Sequence, residues 1–350
     1  MAIIVEIEKQ AGDFFLQTSF EAGNETLALL GASGCGKSMT LKCIAGMEKP
    51  DRGRIILDGV TLFDSEKRIC LPPQKRKTGL LFQNYALFPN MTVEQNIRAG
   101  AAAVRDRSAK KAAVQEMMER FQIMELAKLY PSQLSGGQQQ RTALARLLIS
   151  QPDLLMLDEP FSALDTHLRL QMEQEVRSVI QSFGKTVLLV SHEKDEVFRM
   201  SDRIALMNSG KLEKIGTKQD VFQNPETREG ARLTGCRNIS AAEAVGEHLI
   251  RARDWGIVLH TQKHARDVRY VGIREHEIWP AAGGASENQI SASVTDVMEN
   301  PFSYTILLRP ENGDGTSLLL WEAEKAYWKK HEAKQVTVEL AAESILMLKE

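Results

Sequence analysis

The feature that most constrains the fold is a glycine-rich segment between a short apolar run and a helical pattern. Residues Gly31 to Ser38 read G-A-S-G-C-G-K-S and match the phosphate-binding pattern G-x-x-x-x-G-K-[ST]. Leu27–Leu30 predicts a buried strand before the segment, and Met39–Ala45 predicts a helix after it. A loop in this setting directs backbone N–H groups and the positive end of a helix at an anion. The segment therefore predicts a phosphate-binding loop in an α/β domain.

Two side chains of this loop have a chemistry suited to a nucleotide. Lys37 is expected to reach the terminal phosphates, and the hydroxyl of Ser38 is expected to ligate Mg²⁺. The alternative is a glycine-rich turn that precedes a lysine by chance. The strand before the segment and the helix after it favour the nucleotide-binding loop over that alternative.

An acidic pair follows another apolar run. The sequence L-L-M-L-D-E-P places Asp158 and Glu159 at the end of a strand expected over Leu154–Leu157. A phosphate-binding loop needs such a site: Asp158 would orient Mg²⁺ through its water shell, and Glu159 would polarise the attacking water as general base. An acidic strand end without a catalytic role is the alternative.

Composition limits the class of protein and its partners. The chain has 350 residues, 43% of them hydrophobic and 26% charged, values typical of a globular protein with two domains. Its net charge of −2 and pI near 6.4 give no sign of a nucleic-acid partner. No apolar run reaches membrane-spanning length, and the N-terminus carries no signal-peptide pattern. The four cysteines lack paired spacing, which argues against a zinc site or a disulfide framework.

The patterning divides the chain into two domains, residues 1–235 and 236–350. Alternating strand and helix patterns in the first predict an α/β domain with a largely parallel sheet. Its expected buried strands are Leu27–Leu30, Gly79–Phe82, Leu154–Leu157 and Thr186–Val190. An added β layer is expected over Ile3–Ile7 and Arg54–Leu57, a helical insertion over Ser108–Leu129, and a closing hairpin over Arg203–Asn208 and Lys211–Ile215. Short alternating segments in the second predict a small all-β barrel or barrel pair.

A further glycine pair opens a helix at L-S-G-G-Q-Q-Q-R, which begins at Leu134. Ser135 is suited to cap the helix, while Gly136 and Gly137 leave backbone N–H groups open to a second anion. An ordinary capped helix start explains the serine but not the two glycines. A second anion site is surplus within a single subunit.

These residues together resemble the nucleotide-binding subunit of ATP-binding-cassette (ABC) transporters, over about residues 1–235. The motifs occur in the order of that family: Walker A at Gly31–Ser38, the Q-loop at Gln83, the signature at Leu134–Gln138, Walker B ending at Asp158 and Glu159, the D-loop at Ser162–Asp165 and the switch histidine at His192. The resemblance implies an α/β P-loop NTPase cassette with a mixed sheet and a helical insertion, followed by a small all-β domain.

The resemblance also implies a mechanism that explains the second anion site. Two cassettes would sandwich two ATP molecules, with each signature loop gripping the γ-phosphate held by the Walker A of its partner. Hydrolysis would then reopen the homodimer. Glu159, His192 and Lys37 would be catalytic, and Ser38, Gln83 and Asp158 would hold Mg²⁺. The nucleotide would contact Gly31, Ser33, Gly34, Gly36, Lys37, Ser38, Met39, Gln83, Asp158 and, from the partner, Ser135, Gly137 and Gln138.

The sequence departs from the family pattern at two places. Many cassettes place an aromatic ring under adenine upstream of the P-loop, where this chain reads E-K-Q-A-G-D-F-F. Phe14 is suited to stacking there, but core packing is the favoured role, so selectivity for ATP over GTP is open. Glu193 follows the switch histidine where relatives often carry Asp, and little consequence is expected.

The chain resembles the ATPases of prokaryotic importers, whose membrane part lies on separate chains. The resemblance implies separate transmembrane permease subunits, an extracytoplasmic substrate-binding protein and a peripheral location at the cytoplasmic face of the membrane. The segment Asn84–Ile97 matches the surface that receives a permease helix, through Leu87, Phe88 and Met91. A loop that packs on its own domain is the alternative.

The β-rich tail resembles the TOBE-type domain of importer ATPases, an OB-like barrel. T-G-C-R-N-I-S at Thr234–Ser240 is similar to the junction in the molybdate and sulfate branch. V-G-I-R-E-H-E-I departs from the family element G-x-R-P-E at Glu275 and His276. The expected substrate is molybdate or tungstate. Sulfate is the second choice, and iron, sugars and polyamines are less favoured. The tail is expected to bind the transported oxyanion and thereby regulate transport.

ABC ATPases that act in DNA repair or in translation are alternatives outside transport. Repair-type ABC ATPases split the cassette with a long coiled coil, and translation-type members carry two cassettes and basic linkers. This chain has one cassette and a slight negative charge. An oxyanion sensor with a vestigial ATPase is disfavoured because every catalytic position of the family is present.

Overall fold

The computed structural model describes residues 2–102, 104–162, 166–281 and 287–350, and no side chain of residues 166–168 is described. The chain divides into two compact units, Met1–Lys218 and Gln219–Glu350. The domain boundary expected between residues 235 and 236 stays a prediction. None of the helices in the described ranges is both long and apolar enough to cross a bilayer.

The first unit is built on one mixed sheet. Its order within the described residues is β6-β5-β4-β1-β2-β11-β10-β3-β9-β8-β7, and neighbouring strands from β10 to β7 are parallel. The strands are β1 (Ile3–Ala11), β2 (Phe14–Ala22), β3 (Thr26–Leu30), β4 (Arg52–Leu57), β5 (Val60–Asp64), β6 (Ile69–Cys70), β7 (Thr78–Leu81), β8 (Leu154–Asp158), β9 (Thr186–Ser191), β10 (Arg203–Asn208) and β11 (Lys211–Thr217). The P-loop cassette fold with a mixed sheet is thus confirmed.

Burial explains why some of these strands read as continuous apolar runs. Every residue of β3, β8 and β9 is buried, as expected where helices cover both faces of a parallel sheet. Strand β2 instead alternates buried and exposed residues, because one of its faces meets solvent. The α-helices described in the first unit are α1 (Lys37–Ala45), α2 (Val93–Gly100), α3 (Arg107–Arg120), α4 (Gly136–Leu148), α5 (Thr166–Phe183) and α6 (Lys194–Met200).

The second unit is mainly antiparallel β structure, in agreement with the predicted all-β domain. Its described strands form sheets of order β14-β13-β12-β15-β21 and β16-β20-β17-β18-β19. They are β12 (Asn238–Gly246), β13 (Leu249–Ala252), β14 (Ile257–His260), β15 (Tyr270–Ile273), β16 (Ile278–Pro280), β17 (Gln289–Glu299), β18 (Ser303–Pro310), β19 (Leu319–Glu324), β20 (Gln335–Leu340) and β21 (Leu346–Leu348). Three short helices accompany them in the described residues: α7 (Lys218–Gln223), α8 (Arg228–Leu233) and α9 (Lys325–His331). Three tryptophans lie in the core, Trp255, Trp321 and Trp328.

The four cysteines are free thiols that differ in exposure. Cys35, Cys43 and Cys236 are buried, whereas Cys70 on β6 is exposed. Burial raises the pKa of Cys35 above its usual range, and it raises the pKa of both Cys43 and Cys236 to about 12. The buried thiols are therefore protonated at neutral pH.

Sheet order brings the predicted motifs together. Strands β3, β9, β8 and β7 are consecutive neighbours and parallel, so their carboxyl ends share one edge. The segments that leave these ends contain Gly31, His192, Glu159 and Gln83. Ligands of open α/β sheets bind beyond the carboxyl ends of the strands.

Candidate functional site

The loop after β3 has glycines where a side chain would not fit. A Cβ atom on Gly31 would lie 2.2 Å from the carbonyl oxygen of Met207. Gly36 caps α1 with φ +108°, and a Cβ there would lie 3.0–3.1 Å from side chains that include Leu16 and Phe14. Gly34 has φ +81°, a conformation that L side chains rarely adopt. The loop geometry therefore depends on these glycines and leaves backbone N–H groups at the start of α1.

Lys37 is buried within this loop. Its Nζ donates hydrogen bonds to the carbonyl oxygens of Gly31 (2.7 Å) and Ala32 (2.9 Å). These acceptors are neutral, so the ammonium charge is held in place by dipoles. A buried cation held in this way favours an anion beside it. Lys37 thus fits the role of a phosphate ligand.

Ser38 and Asp158 meet across the sheet edge. The hydroxyl of Ser38 donates to Oδ1 of Asp158 over 2.8 Å. Burial raises the pKa of Asp158, and the hydrogen bond from Ser38 opposes that rise. A hydroxyl oxygen beside a desolvated carboxylate is a ligand pair suited to a hard cation such as Mg²⁺, whose charge would favour the ionised acid. The residues present therefore fit the predicted metal site.

Glu159 is held in an unusual backbone conformation. Its φ of +45° lies in the left-handed region, which a residue with a side chain adopts at an energetic cost. Its N–H donates to the carbonyl of Val190 on β9 over 2.9 Å, which fixes this conformation. Nδ1 of His192 lies 3.1 Å from Oε1 of Glu159, and Nε2 lies 3.8 Å from Oε1 of Glu193. The two predicted catalytic side chains are thus in contact.

Most of the site residues described above line a single cavity of about 500 Å³. Lys42, Glu48 and Ala11 also line it and were not predicted from the sequence. Phe14 both lines the cavity and packs against the core cluster. The predicted residues that line the cavity are Ser33, Gly34, Gly36, Lys37, Ser38, Met39, Gln83 and Glu159.

The predicted signature residues do not line this cavity. Ser135 caps α4 by a capping box: its Oγ accepts from the N–H of Gln138 (3.4 Å), and Oε1 of Gln138 accepts from the N–H of Ser135 (2.9 Å). Ser135 is exposed and Gly137 is buried. In the predicted D-loop, Ser162 donates to the carbonyl of Glu159 (3.0 Å), and residues 163–165 lie outside the described part of the chain.

A second, smaller cavity of about 60 Å³ is lined by Glu159 and His192 together with residues that sequence reasoning missed. Glu196 on α6 is buried there, next to Ser191, Arg169 and Glu193. Burial raises the pKa of Glu196 to about 8, while a hydrogen bond from Ser191 opposes the rise. The sequence signal for a buried Glu196 is its place on the apolar side of α6. That helix is too short for its hydrophobic periodicity to be established from the sequence.

The segment after Gln83 is held rigidly while it exposes apolar side chains. Tyr85 and Ala86 both have positive φ, and the guanidinium of Arg146 donates to their carbonyls at 2.9 and 2.8 Å. Phe88 and Met91 are 46% and 38% exposed. The expected docking surface thus presents apolar groups on a fixed backbone.

Comparison with known proteins gives a consistent result. A family model described as "ABC transporter" matches residues 16–162. The putrescine transport ATP-binding protein PotG of Escherichia coli is 46% identical over 216 residues, which are 61% of this chain and 56% of that protein. The sulfate/thiosulfate import ATP-binding protein CysA 2 of Chromobacterium violaceum is 37% identical over 297 residues, 84% of this chain and 79% of that protein.

Solved structures agree with these relatives. A dimeric structure of the ATP-binding cassette MJ0796, in a post-hydrolysis state bound to ADP and Pi, is 25% identical with a TM-score of 0.53. The match covers 62% of this chain and 99% of that one. The sulfate/thiosulfate relative exceeds 30% identity over more than two thirds of its own length. This chain therefore belongs to the ATP-binding proteins of ABC transporters, a family of ATPases.

Proposed function

We propose that this chain is the ATP-hydrolysing subunit of a prokaryotic importer and acts as a homodimer beneath separate permease subunits. A peripheral position at the cytoplasmic face of the membrane and supply by an extracytoplasmic binding protein are parts of this proposal. The observation that carries it is the arrangement at one sheet edge, where the Lys37 ammonium, the Ser38–Asp158 pair and the Glu159–His192 pair lie. Lys37, Ser38 and Glu159 also line one cavity there.

Each residue has a role that its contacts support. Ser38 and Asp158, with Gln83 across the cavity, would hold Mg²⁺, which supplies charge neutralisation to the phosphate oxygens. Lys37 would bind the terminal phosphates. An Nδ1–H on His192 would donate to Glu159 and orient its carboxylate. The carboxylate of Glu159 would then accept the proton of the attacking water.

The position of the signature residues supports a dimer. Because Ser135, Gly137 and Gln138 do not line the Lys37 cavity of their own chain, a second copy would have to supply them. The MJ0796 structure described above is a dimer. Each active site would then contain groups from both chains.

Glu159→Gln tests the catalytic assignment. We expect ATP binding to persist and hydrolysis to fall about 100-fold or more, since a positioned general base contributes at least that factor. Steady-state phosphate release and binding of a fluorescent ATP analogue measure the two properties. Glu125→Gln is the matched control, because Glu125 is exposed and is distant in sequence from Glu159. Near-normal hydrolysis by Glu159→Gln would contradict the assignment.

For the transported substrate we propose a polyamine first and sulfate second. The relative named for putrescine transport has the higher identity, whereas the relative named for sulfate/thiosulfate covers more of the chain. Neither name supports the molybdate expectation, and the likeness of the tail to a TOBE domain stays a prediction. Because the tail is expected to bind the transported substrate, the second unit offers a further basis for this choice.

A cavity of about 430 Å³ in the second unit suits a cationic amine better than an oxyanion. The described residues that line it include the carboxylates Glu322 and Glu324 and no lysine or arginine. Aromatic side chains also line the cavity, and aromatic faces attract organic cations. They are Trp279, Phe302, Trp321 and Tyr327.

Tryptophan fluorescence of the full chain tests this choice, because Trp279 and Trp321 line the cavity. Titration with putrescine or spermidine is expected to give a saturable change that Glu324→Gln weakens. A saturable response to sulfate or molybdate alone would reverse the order of substrates. The Glu159→Gln experiment is independent of this outcome.

A further inference from the structure

A cluster of nitrogen and oxygen ligands lies on the second unit, away from its aromatic cavity. Glu247 and His248 occupy the turn between β12 and β13, and His264 follows β14. One ligand atom from each of these three side chains lies within 4.8 Å of the other two. All three side chains are exposed.

The backbone around the cluster is tied together. The N–H of Thr261 donates to the carbonyl of His248 over 2.9 Å, and the N–H of Ala265 donates to the carbonyl of Glu247 over 2.8 Å. Thr261 and Ala265 are themselves buried. The turn and the segment after β14 are therefore held against each other whether or not the three side chains interact.

The imidazole rings have defined orientations. Nδ1 of His248 lies 3.2 Å from the carbonyl oxygen of Thr261, so a proton on Nδ1 leaves Nε2 as the basic nitrogen. Metal-binding histidines commonly donate their second N–H to a carbonyl in this way. The rings of His248 and His264 have centroids 4.7 Å apart, and Nδ1 of His264 lies 3.1 Å from Oε1 of Glu247.

We propose that Glu247, His248 and His264 bind a divalent transition-metal ion of the Zn²⁺ class. Imidazole nitrogens select Zn²⁺ and similar ions over Mg²⁺ and Ca²⁺, which prefer oxygen ligands. Zn–N bonds of about 2.0 Å would bring the ligand atoms closer than 4.8 Å, a change that rotation of exposed side chains allows. The site uses no cysteine, so the cysteine spacing gave no sign of it.

Two histidines and one carboxylate leave coordination positions for water or for a further ligand. An ion there would also cross-link the β12–β13 turn to the segment after β14. It would therefore stabilise the second unit by binding its folded state in preference to the unfolded chain. An ion pair between Glu247 and His264 without any metal is the competing explanation of the same geometry.

Cobalt titration of the full, untagged chain tests the site. Co²⁺ is the probe because its visible d–d absorption reports its coordination, and excess Mg²⁺ occupies oxygen-rich sites such as the Ser38–Asp158 pair. We expect a single equivalent to bind with micromolar affinity and to be displaced by Zn²⁺. His248→Ala and His264→Ala should each weaken Co²⁺ binding about 10-fold or more. Losing a metal ligand should reduce affinity at least as much as losing one of the contacts that support a ligand.

His331→Ala is the matched control, since His331 is exposed on the same unit and stacks on Tyr327 rather than joining the cluster. It should bind Co²⁺ as the wild type does. Zn²⁺ should raise the Tm of the wild type and of His331→Ala but not that of His264→Ala. Far-UV circular dichroism of the metal-free variants checks that each one folds. The proposal is overturned if Co²⁺ binds no tighter than about 100 μM, given the micromolar-or-better affinity of built sites, or if His264→Ala binds as the wild type does.

Discussion

Glu196 shows how a buried residue can lie beside two predicted catalytic side chains without belonging to any motif. Its carboxyl lies beside the cavity of Glu159 and His192, and its Oε1 has no hydrogen-bond partner among the described atoms. The pKa of about 8 means that this acid is largely protonated at neutral pH. A neutral acid there avoids a further negative charge next to Glu159.

Stability should therefore depend on pH through this residue. The folded protein keeps the proton up to a pKa of about 8, whereas the unfolded chain releases it near 4.5. This contribution to stability is full below pH 4.5 and is lost as the pH rises to about 8. Relative to Glu196→Gln, the wild type should lose up to about 1.4 kcal/mol per pH unit within that window.

Urea unfolding at several pH values across that window measures the effect. Glu125→Gln, at an exposed position that does not line this cavity, is the control and should follow the wild type. Parallel pH dependences of wild type and Glu196→Gln would mean that Glu196 is ionised in the folded protein.

At the residue level, the sequence predicted side chains that act through a local pattern. Lys37, Ser38, Asp158 and Glu159 stand at fixed places relative to a strand end, so pattern and structure coincide. The burial of Glu196 depends instead on how α6 packs, which neighbouring residues do not encode.

Two helices of the first unit begin with the same kind of N-cap. Comparing them separates the contribution of a cap to stability from a role in dimerisation. Ser135 on α4 and Thr92 on α2 each accept from the backbone N–H three residues on, at 3.4 Å in both cases. Both also have a glutamine at that third position, which completes a capping box. Removing either hydroxyl should cost about 1 kcal/mol of stability.

Only one of these caps belongs to the proposed dimer contact. In a Glu159→Gln background with ATP, we expect a homodimer by size exclusion with light scattering, and Ser135→Ala should abolish it. Thr92→Ala should dimerise normally despite an equal loss of cap. Full dimerisation of the Ser135→Ala variant would show that the serine serves only its own helix.

Element boundaries were predictable where burial ended abruptly. The strand expected over Leu154–Leu157 extends by one residue to Asp158. Strand β1 was expected to end at Ile7 but continues to Ala11, because pairing with β2 holds polar residues that lack an apolar pattern. Cross-strand partners set this end, and they lie outside the local sequence.

For the whole molecule, a substitution in the proposed docking surface around Phe88 should separate hydrolysis from transport. Phe88→Ser should leave ATP hydrolysis by the isolated chain within about twofold of the wild type. Stimulation by the permease subunits should fall about 30-fold, since burying a phenylalanine contributes about 2 kcal/mol. Val60→Ser, at another exposed apolar position, is the control. Equal losses with and without permease would assign Phe88 to the fold of the cassette.

The sequence predicted that the second unit consists mainly of β-strands, but it could not predict how those strands pair. Strand β15 pairs with β21 at the end of the chain, and β16 pairs with β20. Alternating patterns show which face of a strand is apolar but not which distant strand lies beside it. The proposed ligands Glu247 and His264, by contrast, come together through the pairing of β13 with β14, which are consecutive strands.

The distribution of cysteines makes the natural chain convenient for spectroscopic distance measurement. Cys70 lies exposed on β6, the terminal strand of the large sheet, while the three other thiols are buried and protonated. A maleimide spin label should therefore attach selectively at the sheet edge and spare Cys35 inside the nucleotide loop. A homodimer would then carry one label on each copy, and closure on ATP would be read as a change in the label-to-label distance without any substitution in the chain.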